Sequence, residues 1–329
     1  DSLVRAGIRR LNRAGLRARR RLGIDGDHER FRNLLADMRA GPIALHTDEA
    51  NAQHYEVPAG FFTQVLGRRR KYSGCYWPEG VETLDAAEEA SLAETCAHAD
   101  LADGQDVLEL GCGWGSLTLW MAEHYPASRI TAVSNSASQR AFIEAQARDR
   151  GFANITVVTA DMNAFETTQQ FDRVVSVEMF EHMRNHAALM ERIAGWLRPD
   201  GKLFVHIFVH GLSTYLFEAD GPANWMGRHF FTGGVMPADH LLLYHQRHLF
   251  IEDHWRQRGT HYAKTAEAWL ANLDANRQAI LPVLAKVYGA DEKERWFQRW
   301  RVFFMACAEL FGADAGNCWW VAHYRFAKR

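Results

Sequence analysis

The segment Val107-Leu-Glu-Leu-Gly-Cys-Gly-Trp-Gly115 constrains this chain more tightly than any other. An apolar run with strand character enters three glycines at alternate positions, and residues 117–124 follow with helical spacing. Gly111, Gly113 and Gly115 allow the backbone to bend tightly and to approach a ligand with no Cβ in the way. A glycine-rich loop alone is a weak signal. A strand before it and a helix after it supply the context that such a binding loop requires. Strand, loop and helix in that order open a parallel α/β sheet.

From Asp106 onward the alternation continues. Apolar runs at 107–110, 130–133, 155–158, 174–177 and 203–208 are separated by helical stretches at 117–124, 138–149 and 186–197. Arg198-Pro-Asp-Gly201 reads as a turn that feeds the fifth run. Another strand is expected at 250–255, and 319–326 alternates well enough to close the sheet. Residues 209–248 are rich in glycine and aromatics and read as an insertion over the sheet; 264–311 reads as a long helical stretch. The expected organisation is a helical arm and cap over 1–100 and a Rossmann-like α/β domain over 101–329 whose insertion caps the site.

With 329 residues, 47% hydrophobic and 24% charged, the chain has an ordinary globular balance. Its net charge of −2 gives no global basic field, which argues against nucleic acid as a partner. Cys75, Cys96, Cys112, Cys307 and Cys318 show neither CxxC pairing nor zinc spacing, and an odd number without a framework points to reduced thiols in the cytoplasm. No apolar run is long enough to cross a bilayer. Eleven Trp and nineteen Phe leave two readings, core filling or an aromatic pocket for an organic substrate.

The N-terminus is the one biased segment. Arg5, Arg9, Arg10, Arg13, Arg17, Arg19, Arg20 and Arg21 accompany Leu3, Val4, Ile8 and Leu11 at helical spacing. Such a helix can make a peripheral contact with anionic membrane, and it also resembles a transit sequence. The favoured expectation is a solvated helix packed on the domain. The chain begins at Asp1, not Met, which fits removal or trimming of a preceding segment.

The loop also carries information about its ligand. A dinucleotide fingerprint spaces its glycines G-x-G-x-x-G and sets a pyrophosphate at the helix N-terminus. This loop is E-x-G-x-G-x-G, with Glu109 two positions before the first glycine. An acid there suits an ammonium group and not a phosphate. That is the pattern of class I methyltransferases, whose cofactor, S-adenosyl-L-methionine, has an amino-acid tail. Ser134 and Asn135 end the second strand and Gln139 lies one helical turn on, where polar side chains can hold ribose hydroxyls. Asp161 and Met162, after the third strand, suit an adenine edge and face.

At Tyr72-Ser73, at Gly111–Gly115, at Gln139 and at Glu178–His182 the chain resembles the cyclopropane fatty acid synthase family, and within it the coclaurine N-methyltransferase group. The resemblance runs from about His54 to Arg329. Its blocks include Ser176-Val-Glu-Met-Phe-Glu-His-Met183, Phe230-Phe-Thr-Gly-Gly-Val-Met-Pro237, His261-Tyr-Ala-Lys-Thr265 and Trp300-Arg-Val-Phe-Phe304. It implies that Tyr72 and Ser73 contact the methionine end of the cofactor and that Ser134 and Gln139 lie on its ribose side. It further implies that Glu181 and His182 handle an amine, with Glu178 a further acid beside them. Trp300 and Phe303 match pocket aromatics, and Tyr76, His206, Phe231 and Tyr262 join them as expected substrate contacts. One departure bears on the reaction. Where the cyclopropane enzymes carry a Cys that helps hold bicarbonate, this chain has Gly74, although Glu181, His206 and Tyr262 match other members of that site. Phe208 also replaces a smaller aliphatic residue.

These residues suit N-methylation of a small cyclic or aromatic amine. The nucleophile must present a free lone pair, yet a secondary amine is mostly protonated near neutral pH. A carboxylate would attract that cation and a neighbouring His could take its proton. The alternative expectation is a lipid-modifying enzyme of the cyclopropane type, acting on unsaturated acyl chains. No metal is expected: His182/His186 and His206/His210 have four-residue spacing, but no Cys or carboxylate completes a tetrahedral set.

Overall fold

A computed structural model of the chain describes residues 1–45, 57–221 and 224–328. His54 and Arg329, the ends of the stretch of resemblance, lie outside the described residues. Nine strands are found among those described: β1 (Asp106–Leu110), β2 (Arg129–Ser134), β3 (Ile155–Thr159), β4 (Phe171–Val177), β5 (Leu197–His210), β6 (Tyr215–Leu216), β7 (Val235–Met236), β8 (Leu249–Gln257) and β9 (Trp319–Lys328). Seven form one sheet in the order β3-β2-β1-β4-β5-β9-β8. β1 to β5 run parallel, and β9 runs antiparallel to both β5 and β8. Each run expected from the sequence is a strand of this sheet. Parallel strands are covered on both faces, so they read as unbroken apolar runs; all five residues of β1 are buried.

Helices Ser116–His124, Ala137–Arg150 and His186–Trp196 connect the first strands. Ser136 and Asn185 cap the latter two, accepting from Gln139 N and Ala188 N. Leu108, Leu110, Val133, Leu203 and Val205 build the core on one side of the sheet; Val107, Ile130, Val175 and Phe204 build it on the other with Leu117 and Trp120. A third, aromatic cluster lies over the carboxyl ends of the strands. It draws Phe61, Trp114, Phe230, Trp269, Trp300 and Trp319 together from segments far apart in sequence.

Two expected elements are corrected. Arg198–Gly201 does not separate a helix from a strand. Leu197 already pairs with Phe171 and Lys202 with Arg173, so the four residues bulge out within β5, with Asp200 at φ 63°. The long stretch from 264 is three helices, Gly259–Ala275, Arg277–Tyr288 and Lys293–Phe311, broken at Asn276 and at Gly289, whose φ is 93°. The insertion after β5 holds the small β6–β7 pair and the short helix Trp225–His229.

The arginine-rich helix Ser2–Arg20 docks on Lys293–Phe311. Arg5 pairs with Glu267 and Glu309, Arg9 with Glu309, and Asp1 with Arg301. Ile8 and Leu16 pack against the aromatic cluster, while Leu3 and Leu11 are exposed. Among the described residues no helix is long and apolar enough to cross a membrane.

Gly115 shows how tightly the first helix is set on the sheet. Its φ is 77°, and a Cβ there would lie 2.6 Å from Ile143 Cγ1. Gly115→Ala is expected to lower unfolding free energy by about 1–3 kcal/mol, read from urea midpoints. Combined with Ile143→Ala, the loss should fall short of the sum of the two. Strict additivity would contradict this packing account.

Candidate active site

The glycine loop divides its work. A Cβ on Gly111 would strike Met179 Cγ at 2.6 Å, and Gly115 faces Ile143, so both serve close packing; Gly113, at φ 52°, faces open space. Gly111 N and Cys112 N both donate to Val133 O at 3.0 Å and fix the bend against β2. Glu109, at the end of β1, is 3% exposed. Thr118 Oγ1 donates to its Oε2 at 2.5 Å. Burial pushes its carboxyl up to about 8. A buried carboxyl opening on a cavity, with no basic side chain bonded to it among the described residues, fits a ligand that brings its own positive charge.

Two cavities adjoin across this loop and share Gly111, Gly113, Gln139 and His182. The smaller, about 70 Å³, is lined by Ser134, Asn135, Asp161 and Met162. Ser134 Oγ donates to Gln139 Oε1 at 2.6 Å, which couples the end of β2 to the helix that follows. The larger, about 180 Å³, runs from Tyr72, Ser73 and Glu109 to a wall of Phe208, Phe231, Tyr262 and Phe303.

Tyr72 and Ser73 sit on a strap that a buried acid pins down. Glu88 accepts from the backbone N–H groups of Gly67, Arg69 and Lys71 at 2.9, 2.7 and 3.1 Å. Burial pushes its carboxyl up to about 7 despite those bonds. Lys71 is 2% exposed, and its Nζ donates to Ser73 Oγ and Gly74 O, both at 2.6 Å.

Glu178, just after β4, has a left-handed backbone with φ 48°. For a residue with a side chain that conformation costs about 1–3 kcal/mol and is kept only where surroundings impose it. They do so here. Its backbone N donates to His206 O at 2.9 Å. Its carboxylate accepts from Gly74 N at 2.8 Å and from Tyr262 Oη at 2.8 Å, and His206 Nε2 lies 3.3 Å from Oε1. Burial raises the Glu178 carboxyl above its ordinary range, and Lys71, Gly74 and Tyr262 oppose the rise. Glu181 is fully buried. Its Oε1 accepts from Phe208 N at 2.8 Å, and its Oε2 has no hydrogen-bond partner among the described residues. Burial and then the neighbouring Glu178 push Glu181 far above the carboxylate range, so it is held as a neutral acid. The His182 ring lines both cavities and lies 4.6 Å from the Phe231 ring.

Most residues singled out from the sequence come together: Tyr72, Ser73, Glu109, Gly111, Gly113, Gln139, Glu178, His182, Phe231, Tyr262 and Phe303 on the larger cavity, Ser134, Asn135, Asp161 and Met162 on the smaller. Five do not reach a wall. Gly115 is packed under the helix. Glu181 and His206 lie a layer behind Phe208 and Glu178. Tyr76 leans on His261 instead, with ring centroids 5.0 Å apart. Trp300 is fully buried among Phe61, Phe230 and Phe303. Lys71, Trp114 and Trp269 line the larger cavity without having been expected there. Lys71 directly precedes Tyr72-Ser73, the signal that could have found it.

The larger cavity thus combines a buried acid at a glycine loop, a second acid after the neighbouring parallel strand and an aromatic wall. Residues 45–321 match the model of the family described as mycolic acid cyclopropane synthetase. An (S)-coclaurine N-methyltransferase of Thalictrum flavum subsp. glaucum is 36% identical over 98% of this chain and 91% of its own length. A cyclopropane-fatty-acyl-phospholipid synthase of Escherichia coli is 29% identical over 83% of this chain and 67% of its own. The crystal structure of a coclaurine N-methyltransferase bound to N-methylheliamine and SAH superposes with a TM-score of 0.94 at 34% identity, covering 99% of this chain and 94% of that one. A cyclopropane synthase of Mycobacterium tuberculosis shares the fold, with a TM-score of 0.73 at 22% identity over 87% of this chain and 99% of that one. Sequence and fold agree along nearly the whole chain: it belongs to the mycolic acid cyclopropane synthetase family and is an S-adenosylmethionine-dependent methyltransferase.

Proposed function

We propose that the enzyme methylates the nitrogen of a small cyclic or aromatic amine of the tetrahydroisoquinoline type. The observation that carries this reading is the Glu178 carboxyl set in an aromatic-walled cavity beside His182. The activity named for two similar relatives and for one solved structure, coclaurine N-methylation, supports it. In this reading Tyr72, Ser73, Glu109, Gly111 and Gly113 hold the methionine end of the cofactor, Ser134, Asn135 and Gln139 the ribose, and Asp161 and Met162 the adenine. When bound, the cofactor supplies an electrophilic methyl group on sulfur.

The chain's own residues then have three tasks. Phe208, Phe231, Tyr262 and Phe303 exclude water and favour a cation through their ring faces. Glu178 attracts the substrate ammonium and, with His182, takes its proton so that the nitrogen lone pair is free. Glu181, a neutral acid, holds the backbone beneath Phe208 and positions that wall. Gly74 separates this reading from acyl-chain cyclopropanation. A Cβ there would lie 2.8 Å from Tyr262 Cδ1, so a Cys at this place requires Tyr262 to move. The space is already committed to the Gly74–Glu178–Tyr262 contact. All five cysteines are unpaired, which supports a cytoplasmic setting.

The test is transfer of labelled methyl from the cofactor to tetrahydroisoquinolines or to phospholipid vesicles offered side by side. Label in the amine is expected; label confined to lipid overturns the reading. Glu178→Gln and His182→Ala should each lower kcat by about 100-fold or more with cofactor affinity retained in calorimetry. Full turnover in both variants sinks the proton-handling role.

Glu109 gives a separate prediction. With its carboxyl near 8, it is mostly protonated at neutral pH before the cofactor arrives. An incoming ammonium lowers that value, so binding releases roughly one proton and affinity climbs as pH rises toward about 8. Calorimetry in buffers of different ionisation enthalpy reads the release. Glu109→Gln should abolish it; equal release in both proteins contradicts the assignment.

A further inference from the structure

Behind Glu178 lies a row of histidines that the mechanism above leaves unused. His206 Nε2 is 3.3 Å from Glu178 Oε1, His206 Nδ1 is 2.8 Å from His323 Nε2, and His323 Nδ1 is 2.8 Å from His98 Nδ1. The sheet builds this row. His206 of β5 and His323 of β9 are direct cross-strand partners, and Trp255 of β8 is the next partner of His323. His98 ends the helix Leu84–His98 and stacks flat on Trp255, with ring centroids 4.0 Å apart. His206 and His323 are buried, whereas His98 is half-buried and reaches the surface.

We propose that His206, His323 and His98 form a proton path between Glu178 and solvent. The proposal rests on the reading in which the substrate amine gives its proton to Glu178. A proton left on this carboxyl, whose side chain is 10% exposed, must be removed before the next turnover; the rings of Phe208, Phe231 and Phe303 cannot accept it, and a proton taken by His182 stays in the same cavity. The row leads it out.

The donor and acceptor count closes. A neutral imidazole has one N–H and one bare nitrogen, so three neutral rings can link head to tail. Burial, with Lys71 facing both, holds His206 and His323 far below the ordinary imidazole range; His98, His206 and His254 add to this at His323. Burial and Arg325 lower His98, while Asp253 opposes them. Protonated Glu178 passes its proton to His206 Nε2. The His206 Nδ1 proton moves to His323 Nε2, the His323 Nδ1 proton to His98 Nδ1, and the His98 Nε2 proton leaves to water. One proton enters and one leaves, each ring ends in its other tautomer, and ring reorientation resets the row. Glu94, which has a carboxylate oxygen within 4.8 Å of nitrogens on His98 and His323, stands at the outer end as a further acceptor.

Those three residues could also suggest a metal, but the nitrogens stand closer than a shared ion allows. Two nitrogens on one tetrahedral zinc are about 3.3 Å apart. At 2.8 Å, His98 and His323 share a proton instead.

The test uses the full chain labelled with ¹⁵N-histidine, without substrate. The ring N–H protons of His206 and His323 should exchange with water much faster than neighbouring backbone amides of the sheet. His98→Ala should slow that exchange by about tenfold or more, and added imidazole should restore it. His98→Gln keeps a donor toward His323 but cannot pass a proton, so it should behave like His98→Ala. Unchanged exchange in both variants overturns the path, whatever the acceptor proves to be. In turnover, both variants should lower kcat for an ordinary secondary amine by about tenfold with KM unchanged, again rescued by imidazole. They should spare an amine whose electron-withdrawing substituent holds its pKa below the assay pH. Slowed exchange with undiminished turnover of the ordinary amine overturns the catalytic use of the path. Failure of every amine to be methylated defeats the proposed function alone, because the exchange measurement still decides the path.

Discussion

The hold on the Glu178 carboxylate joins the parts on which the site depends. Gly74 belongs to the strap that carries Tyr72 and Ser73, Tyr262 to the helix Gly259–Ala275, and His206 to β5. Three segments distant in sequence meet at one side chain. That side chain sits on a left-handed residue, a conformation that pays no return unless all three partners are in place. Burial raises the carboxyl, and Lys71 with the donors around it restrains the rise. Glu181, three residues on, has among the described residues only backbone N–H groups, its own and that of Phe208, to set against burial and the nearby Glu178, and its carboxyl is pushed much further up. Two neighbouring acids are thereby set apart by what surrounds them.

Much of the fold could be read along the chain because the signals are local. Parallel strands buried on both faces appear as continuous apolar runs, and the glycine loop has a strand before it and a helix after it. The bulge at Arg198–Gly201 could not be read, because Leu197 is drawn into β5 by pairing with Phe171, a partner 26 positions earlier. The helical spacing of Leu270, Leu273, Ile280 and Leu284 hides the break at Asn276, whereas Gly289 and the polar run after it are a legible stop signal.

At the site, what escaped the sequence was the direction a side chain faces. Trp300 and Phe303 lie one turn apart on the same helix, yet Phe61 and Phe230 cover Trp300 while Phe303 reaches the cavity. Glu88 stands on an alanine-rich helix, but the strap brings three backbone N–H groups to it and no solvent remains. The histidine row is invisible for the same reason: His98, His206 and His323 are more than a hundred positions apart from one another and meet only through sheet register.

The central claim is that the cavity recognises positive charge through Glu178. A quaternary tetrahydroisoquinolinium carries that charge without a transferable proton, and its uncharged carbon isostere has the same shape. Calorimetric affinities of the two, for the native enzyme and for Glu178→Gln, isolate charge recognition from proton transfer. The account predicts that the native enzyme prefers the cation by about tenfold or more and that Glu178→Gln loses the preference. Equal affinities in the native enzyme, or a preference that survives Glu178→Gln, would contradict it.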